Sequence, residues 1–508
     1  MRLLRTVASY DLTVAIAHGK TFLGGASVWV AGDIDQARWL AAAIGKDSVV
    51  SWGLTERNHG ADLLASEVTA VRTGTGWRLN GEKWLINNAT RGDIICVLAR
   101  TKAAGGPRGF SLFLVDKHSL PADRYRYCPK VRTHGIRGAD ISGIGFDDVD
   151  LPETALVGGA GEGIEIVLKA LQLTRTACTA LSLGATDHAL RIVGDFVQER
   201  QLYGRQLVEF PRVRRIFGEV CAASLVIDAV SVVAGRSIQN LTEELSVVSA
   251  VSKAFVPTVA QEMIGKLGEL LGARGFLTDV YAAGAFAKLD RDHRVVGIFD
   301  GSTVVNRNAL IDQFANLSRA YHRGQVDEQG LSDTASLEHP SPDLDPKQLA
   351  LLSKTGCSLI QSLPRAAEEV RDLAAGAGRI PQHVVHMVDE LEEIVTDLHR
   401  EMTAHRRLPQ RVPAEAFELA ERYEVCFAAA SCLHLWLRSE SAVANISHVR
   451  DSMLWLQACL TWTLTRLGAV SVADGGAGVY DALADAMTRL PDRPGTTAAP
   501  SRSEACFS

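Results

Sequence analysis

The sequence predicts an α+β protein with segregated elements: a helical N-terminal segment, a central antiparallel β domain, a helical bundle and a further helical extension. Three observations carry this. Near Ser51 the apolar spacing changes from helical to short β-rich runs broken by turn residues. From Gly161 it switches back, with apolar residues at i, i+3 and i+4 through one long stretch. Between them there is none of the strand–helix alternation that builds a parallel sheet.

Residues 1–50 predict a partial N-terminal helical domain. "DIDQARWLAAAIGK" opens on acids and closes on Gly-Lys, as a capped helix does. Residues 51–156 predict a β domain, from runs such as "EVTAVRTGTGWRLNGEKWLI", "DIICVLART" and "GFSLFLVDK". The Asn-Gly between "GWRL" and "EKWL" predicts a hairpin turn there. Residues 157–322 predict a helical domain led by "GIEIVLKALQLTRTACTALSLGATDHALRIVGDFVQER". Residues 323–345, rich in Pro, Ser and Asp, predict a linker. Residues 346–490 return to helical spacing, with "YEVCFAAASCLHLWL" as a bundle-core helix, and 491–508 predict a disordered tail.

The 508 residues are too many for one compact domain, and 47% hydrophobic with 22% charged residues predicts real cores. A net charge of −6 argues against a nucleic-acid binder, which needs concentrated basic surface. Nine scattered cysteines without a CxxC pair fit a reducing compartment, and a cytoplasmic location is expected. No signal peptide is expected at the start, and no apolar run long enough to span a bilayer is expected. Walker A, HExxH and GxSxG patterns are absent. "VGGAGEGIEIVL" lacks the spacing of a dinucleotide loop. His383 and His386 are three apart with no third ligand nearby in sequence, so no metal site is expected.

Six segments occur in order: "WGLTERNHGADL", "LNGEKWLINNATRGDIICVLAR", "THGIRGADISGIGFDDVDLP", "ERQLYGRQL", "LLGARGF" and "RDHRVVGIFDGSTVVNR". Together they resemble the acyl-CoA dehydrogenase flavoprotein family, over residues 1 to about 322. The resemblance implies an acyl-CoA dehydrogenase-like fold with FAD between the β domain and the second helical domain. It implies α,β-dehydrogenation of an acyl thioester, carried by coenzyme A or a carrier protein. A carboxylate takes the α proton while the β hydrogen leaves as hydride to flavin N5. Such a base works best shielded from water.

Residue by residue, "GLTER" resembles the flavin-contacting strand end, which implies Trp52, Leu54 and Thr55 at the flavin. "KWLINN" places Leu85 and Asn87 over the ring, with the Asn87 amide able to donate to N5; Trp84 is either a further contact or a β-domain core aromatic. Arg200 and Gly204 in "ERQLYG" resemble the element that contacts the FAD diphosphate, often across a subunit boundary, where a guanidinium offers paired donors. Gly272 and Gly275 in "LLGARGF" resemble the Gly-rich segment approaching a neighbouring subunit's diphosphate. "DGST" aligns with the family's Glu-Gly-Thr turn and puts Asp300 in the base's place, with Ser302 beside the cofactor. Ala61, Arg175 and Gly301 fall on the substrate side.

The sequence departs from the family in several places. Arg57 and Ala61 stand where Pro and Ser are usual, the N-terminal helical domain is shortened, and Asp replaces Glu. Asp is one methylene shorter, about 1.5 Å, and a misplacement near 1 Å can cost roughly a hundredfold in rate. The nitroalkane-oxidising branch of the family nonetheless uses an Asp base. The alternative base position, on the long helix, is Thr174 and carries no carboxylate. Asp before Gly is also an ordinary turn, with Ser302 or Thr303 capping the next helix. The implied partners are an electron acceptor, either electron-transfer flavoprotein or oxygen, and further copies in a homodimer or homotetramer. Two alternatives stay open: a flavin oxidase or monooxygenase on the same fold, or a non-catalytic subunit beside a heteromeric homologue.

Overall fold

The computed structural model describes residues 1–377, 380–405, 411–447, 449, 451–470 and 476–488. The expected tail, 491–508, lies outside them. Three helices open the chain: α1 (Arg2–Ala8), α2 (Leu12–Ala31) and α3 (Ile34–Ile44). The acids read as a cap act as one: Asp33 accepts from the N–H groups of Asp35 and Gln36, and the Gln36 side chain returns to Asp33 N.

Eight strands follow: β1 (Val50–Gly53), β2 (Thr69–Arg72), β3 (Gly76–Asn87), β4 (Ile94–Arg100), β5 (Phe110–Asp116), β6 (Tyr125–Cys128), β7 (Ile141–Pro152) and β8 (Leu156–Val157). They form one sheet in the order β6-β7-β3-β2-β4-β5-β8, with β1 parallel to β4. The central strand β4 is buried on both faces. Ile95, Val97 and Ala99 enter one core with Trp77 and Phe113. Ile94, Cys96 and Leu98 enter another with Val28 of α2 and Leu40 of α3. This is why "IICVLA" reads as an unbroken apolar run.

The hairpin expected at Asn80-Gly81 is not there. β3 runs straight through it, and the turn falls earlier, where Thr73 N donates to Gly76 O. Asn80 still pairs with Thr69, but the register on β7 shifts between Leu79 and Gly81. Gly81 has φ +123°, and a Cβ there would press on Val68 at 2.9 Å. The dipeptide makes a bulge rather than a turn, because the strand must bend to serve β2 and then β7.

The helical part begins with α4 (Gly163–Glu199). It continues through a small hairpin of β9 (Gln201–Leu202) and β10 (Arg205–Gln206) to α5 (Pro211–Asn240), α6 (Leu245–Leu271), α7 (Ala273–Phe276), α8 (Ala285–His293), α9 (Thr303–Ile311) and α10 (Phe314–His322). By length and composition α5 could cross a membrane, which the sequence reading did not anticipate, but 72% of its most apolar window is buried inside the protein. It is a core helix.

The expected linker contains α11 (Glu328–Ala335). Asp327 caps it by accepting from Gly330 N, and Leu331 and Ala335, four apart, are buried in an otherwise polar stretch. Arg236 of α5 donates to the carbonyls of Asp333, Thr334 and His339, so this segment is fastened down.

The extension comprises α12 (Ser358–Gln361), α13 (Leu363–Ala377), α14 (Gln382–Ala404), α15 (Ala414–Ser447), α16 (Ser452–Leu467) and α17 (Gly476–Thr488). It shares a single hydrophobic core with α4, α5 and α6. The segment read as a bundle-core helix is buried in α15, from Tyr423 to Trp436 with few breaks. Arg307 of α9 makes a two-pronged bond to Glu424 of α15 at 2.8 and 3.1 Å, and also meets Glu421. Burial pushes the Glu424 carboxyl up to about 7 against the pull of Arg307.

Buried histidines make the fold acid-sensitive. His399 stacks on Tyr321 with ring centroids 4.0 Å apart, and its Nδ1 bonds to Val395 O. Burial pushes His293, His399 and His434 each down from 6.5 to about 4. Between those values the unfolded chain binds protons that the folded chain refuses. The stability these three histidines contribute is therefore complete above pH 6.5 and is lost as pH drops toward 4, outweighing Glu244 and Glu424, whose raised carboxyls bind their protons more readily in the folded chain. Urea-melt midpoints should decline steadily through this window. His399→Phe should flatten part of the decline; a wild-type midpoint that stays level from pH 6.5 to 4 contradicts the account.

Candidate active site

The turn from Gly297 to Ser302 joins α8 to α9, and it stands on two buried cations. Lys253, fully buried on α6, donates from Nζ to Val296 O at 2.7 Å and to Gly301 O at 3.2 Å. Arg175 of α4, 8% exposed, donates from Nε to Asp300 O at 2.9 Å. Burial drives the Arg175 guanidinium below its ordinary value, with the field of Asp300 opposing.

Asp300 is half-buried and lies in the left-handed region at φ +55°. Such a conformation in a residue with a side chain needs outside support. Gly301 follows at φ +92°, where a Cβ would collide with Arg175 Nη2 at 2.9 Å. Ser302 caps α9, accepting from Val305 N at 3.3 Å. The capping role that the Asp-Gly turn allowed for Ser302 is thus present in the structure. The Asp300 carboxylate points back to α4, where the Cys178 thiol donates to Oδ2 at 3.3 Å. Thr174 is buried, and its hydroxyl is turned onto Leu171 O.

A second group sits on the sheet. Thr55, just past β1, donates to Trp84 O at 2.7 Å while its carbonyl accepts from Trp84 N, so β1 and β3 are laced together here. Arg57 lies over the Trp84 ring at 4.7 Å. Leu85 is 45% exposed at φ +58°, at a second register shift of β3. The Asn87 amide, able by the resemblance to donate to flavin N5, spends one of its two N–H donors on Ile16 O of α2 at 3.3 Å. The neighbouring Asn88 Nδ2 likewise bonds Ala17 O, because α2 presents its carbonyls to this strand end. Trp52 and Leu54 are half-buried beside α2 and β4. The Trp52 indole N–H and Asn87 Oδ1 are buried without a partner among the described residues. Ala61 is exposed on the loop after Thr55.

The third group is remote. Arg200, exposed, ends α4, and Gly204 sits in the β9–β10 turn beside Tyr203, which is 95% exposed. Gly272 immediately precedes α7 and Gly275 lies within it, with Arg274 over the Phe196 ring at 5.6 Å. The chain between Cys178 and Arg200 is one helix, which at ~1.5 Å per residue spans about 33 Å. The structure thus brings Asp300, Gly301, Ser302 and Arg175 together, and separately Thr55, Leu85 and Asn87. It leaves Arg200, Gly204, Gly272 and Gly275 at the far end.

Sequence reasoning missed Lys253, Cys178 and the pair Lys83–Glu56. Each of the two lysines had a faint signal: Lys253 is a lone charge in the apolar "AVSKAFV", and Lys83 falls in alternation with Trp77 and Leu79, on the buried side of β3. Lys83 Nζ bonds Glu56 Oε1 at 2.8 Å and Leu54 O at 3.0 Å, with its side chain fully buried. Burial pushes its ammonium down to about 8, Glu56 opposing. For Glu56, burial alone would raise the carboxyl; Lys83 and the N–H groups of Glu67 and Val68 outweigh it and hold it low. This pair fixes the loop that follows β1.

Residues 51–149 match the acyl-CoA dehydrogenase middle domain, and residues 161–314 match the acyl-CoA dehydrogenase C-terminal domain. A probable acyl-CoA dehydrogenase of Mycobacterium tuberculosis is 25% identical over 309 residues, covering 60% of this chain and 77% of that protein. The solved butyryl-CoA dehydrogenase of Megasphaera elsdenii aligns with a TM-score of 0.57 at 24% identity, over 60% of this chain and 79% of its own. An acyl-CoA dehydrogenase of Bacillus anthracis, solved in complex with FAD, aligns with a TM-score of 0.65 at 17% identity. That alignment covers 96% of this chain and 80% of the other, so the likeness in fold reaches into the C-terminal extension.

Lys83→Met strands Glu56 as a buried, unpaired carboxylate. It should cost about 3–5 kcal/mol of unfolding free energy. Lys83→Met with Glu56→Gln should recover much of that loss, read from urea melts of the two variants; equal losses in both would exclude the pairing as the cause.

Proposed function

For a chain that belongs to the acyl-CoA dehydrogenase family by its middle and C-terminal domains, we propose FAD-dependent α,β-dehydrogenation of an acyl thioester. The observation that carries the reading is the placement of Asp300: a half-buried carboxylate on a turn locked by Arg175 and Lys253 against the long helix α4. The residues present suit the cofactor. Among the described residues, an indole N–H at Trp52 and a carbonyl oxygen at Asn87 have no partner and are buried at the strand ends expected to meet the ring. When bound, FAD accepts the β hydrogen as hydride.

The chain's own residues do the rest. Asp300 takes the α proton on a carboxylate oxygen. Arg175 and Lys253 spend their donors on the turn's carbonyls, so the base keeps one direction while its charge changes. Gly301 leaves the space that Arg175 occupies. Since Arg200 and Gly204 lie about 33 Å along α4 from this turn, and Gly272 and Gly275 flank Arg274, which covers Phe196 near that same end of α4, we assign them to the cofactor of a second copy of the chain, in a homodimer or larger homo-oligomer. The electron acceptor is electron-transfer flavoprotein or oxygen.

The test is anaerobic titration of the FAD-loaded protein with short, medium and branched acyl thioesters, including carrier-protein forms. Bleaching of the flavin by one of them is the expected result, and Asp300→Asn should slow it by about 10²–10⁴-fold with FAD content unchanged. Full-speed bleaching in that variant removes Asp300 from the mechanism. Fast peroxide formation on admitting air would mark an oxidase.

A further inference from the structure

We propose that the basic edge formed by β6 and the loop leading to β7 docks an acidic carrier protein, which presents the acyl group on its phosphopantetheine arm. The inference rests on the acyl-thioester reading of the site and names the carrier. From Arg124 to Arg137 the stretch "RYRYCPKVRTHGIR" holds five cations and no acid, in a chain whose net charge is −6. Positive charge is therefore gathered here against the balance of the molecule. Arg124, Arg126, Lys130, Arg132 and Arg137 are all exposed, and β6 is the edge strand of the sheet. Arg126 pairs with Glu82 at 2.8 Å. Lys130 Nζ bonds Arg137 O at 2.8 Å, and Arg137 Nε bonds His134 O at 3.3 Å. Those two acceptors are main-chain oxygens, which leave the side-chain charge in place.

A cavity of about 350 Å³ lies along this edge, lined by Thr90, Arg91, Tyr127, Lys130, Gly138 and Asp140 among others. Arg91 adds a sixth exposed cation. Asp140 is 5% exposed, and its Oδ2 accepts from the N–H groups of Thr90 and Arg91. Tyr127 is 43% exposed. Exposed tyrosine among arginines is the composition of a protein interface. The cations follow an edge rather than converge on one phosphate group, and an acidic protein matches that spread. Complementary charge of this kind speeds and selects association.

The edge adjoins both groups of residues at the site. Ile136 N donates to Asp292 Oδ1 of α8 at 2.6 Å, and Gly135 lies so close to α8 that a Cβ there would collide with Arg291 O. The chain runs from α8 into the Asp300 turn. At the loop's other end Asn88 N donates to Asp140 O at 2.7 Å, which ties the loop to the strand end that carries Asn87. A carrier seated on the cations stands beside both groups. Arg91 and Lys130, at the cavity, suit the phosphate of its arm.

Two measurements on the FAD-loaded protein test this. The first needs no turnover. A dye-labelled acidic acyl carrier protein bearing phosphopantetheine is titrated at about 50 and about 300 mM salt. The proteins compared are wild type, the triple variant Lys130→Glu, Arg132→Glu, Arg137→Glu, and a control, Arg323→Glu with Arg400→Glu, which reverses exposed charges elsewhere. Wild type and control should bind alike and weaken about tenfold at the higher salt. The triple variant should bind about tenfold more weakly at low salt and lose most of the salt dependence. A carrier that fails to bind wild type, or that binds the triple variant equally well, overturns the proposal. The second compares anaerobic flavin bleaching by one acyl group carried on the same protein and on coenzyme A. The triple variant should raise the half-maximal concentration of the carrier thioester about tenfold, and that of the coenzyme A thioester by less. An equal loss with both assigns the cations to the phosphates of coenzyme A and overturns the carrier. If neither thioester bleaches the flavin, the dehydrogenase reading fails, and the binding titration still judges the surface.

Discussion

Two buried cations hold up the turn on which the chemistry depends. Lys253 and Arg175 approach from α6 and α4 and donate to three carbonyls of the segment from Val296 to Gly301. Burying an ammonium and a guanidinium is costly unless every donor finds an oxygen. A turn with two consecutive residues at positive φ, one of them an aspartate, supplies those oxygens because its carbonyls point inward. Strain in the turn and desolvation of the cations thus offset one another, and the result is a carboxylate with a fixed direction. The rest of the helical core exists, in this sense, to keep α4 and α6 at the separation the turn needs.

The C-terminal extension acts on the same element from the other side. α9 begins at the turn, capped by Ser302, and its Arg307 is tied to Glu424 and Glu421 on α15. Glu424 is 2% exposed, so removing either partner would leave an uncompensated charge in the core. With a shared apolar core besides, α15 and α9 are packed together. The segment around α11, polar by composition, is held by Arg236 and belongs to this body. The extension is better understood as a buttress of the turn than as an appended module.

The sheet makes the complementary wall. β4 is apolar on both faces because one face packs beneath α2, α3 and α4 and the other fills the sheet's own interior. Its neighbours β1 and β3 end in residues whose main chain is irregular: Thr55 laced to Trp84, Leu85 at positive φ, Asn87 and Asn88 reaching for α2. Irregular strand ends leave polar groups that a regular ladder would absorb, and Trp52 and Asn87 keep such groups.

By itself the sequence determined the order of elements, because apolar spacing records which face of a helix or strand is buried, and it marked the Asp-Gly turn and the glycines that need unusual backbone. It misplaced the bend at Asn80-Gly81, since the same dipeptide serves a turn or a bulge and only the partners on both sides of β3 choose between them. It read the α11 segment as a linker because two buried apolar side chains, Leu331 and Ala335, are invisible in a polar window. It assigned Arg200, Gly204, Gly272 and Gly275 to a cofactor diphosphate reached across a subunit boundary, and only the length of α4 shows how far Arg200 lies from the Asp300 turn within one chain. Cys178, Lys253 and the Lys83–Glu56 pair were decided only by tertiary structure. Their partners lie 27 to 122 residues away in the chain, and a hydrogen bond is a matter of position in space, which local residue pattern does not encode.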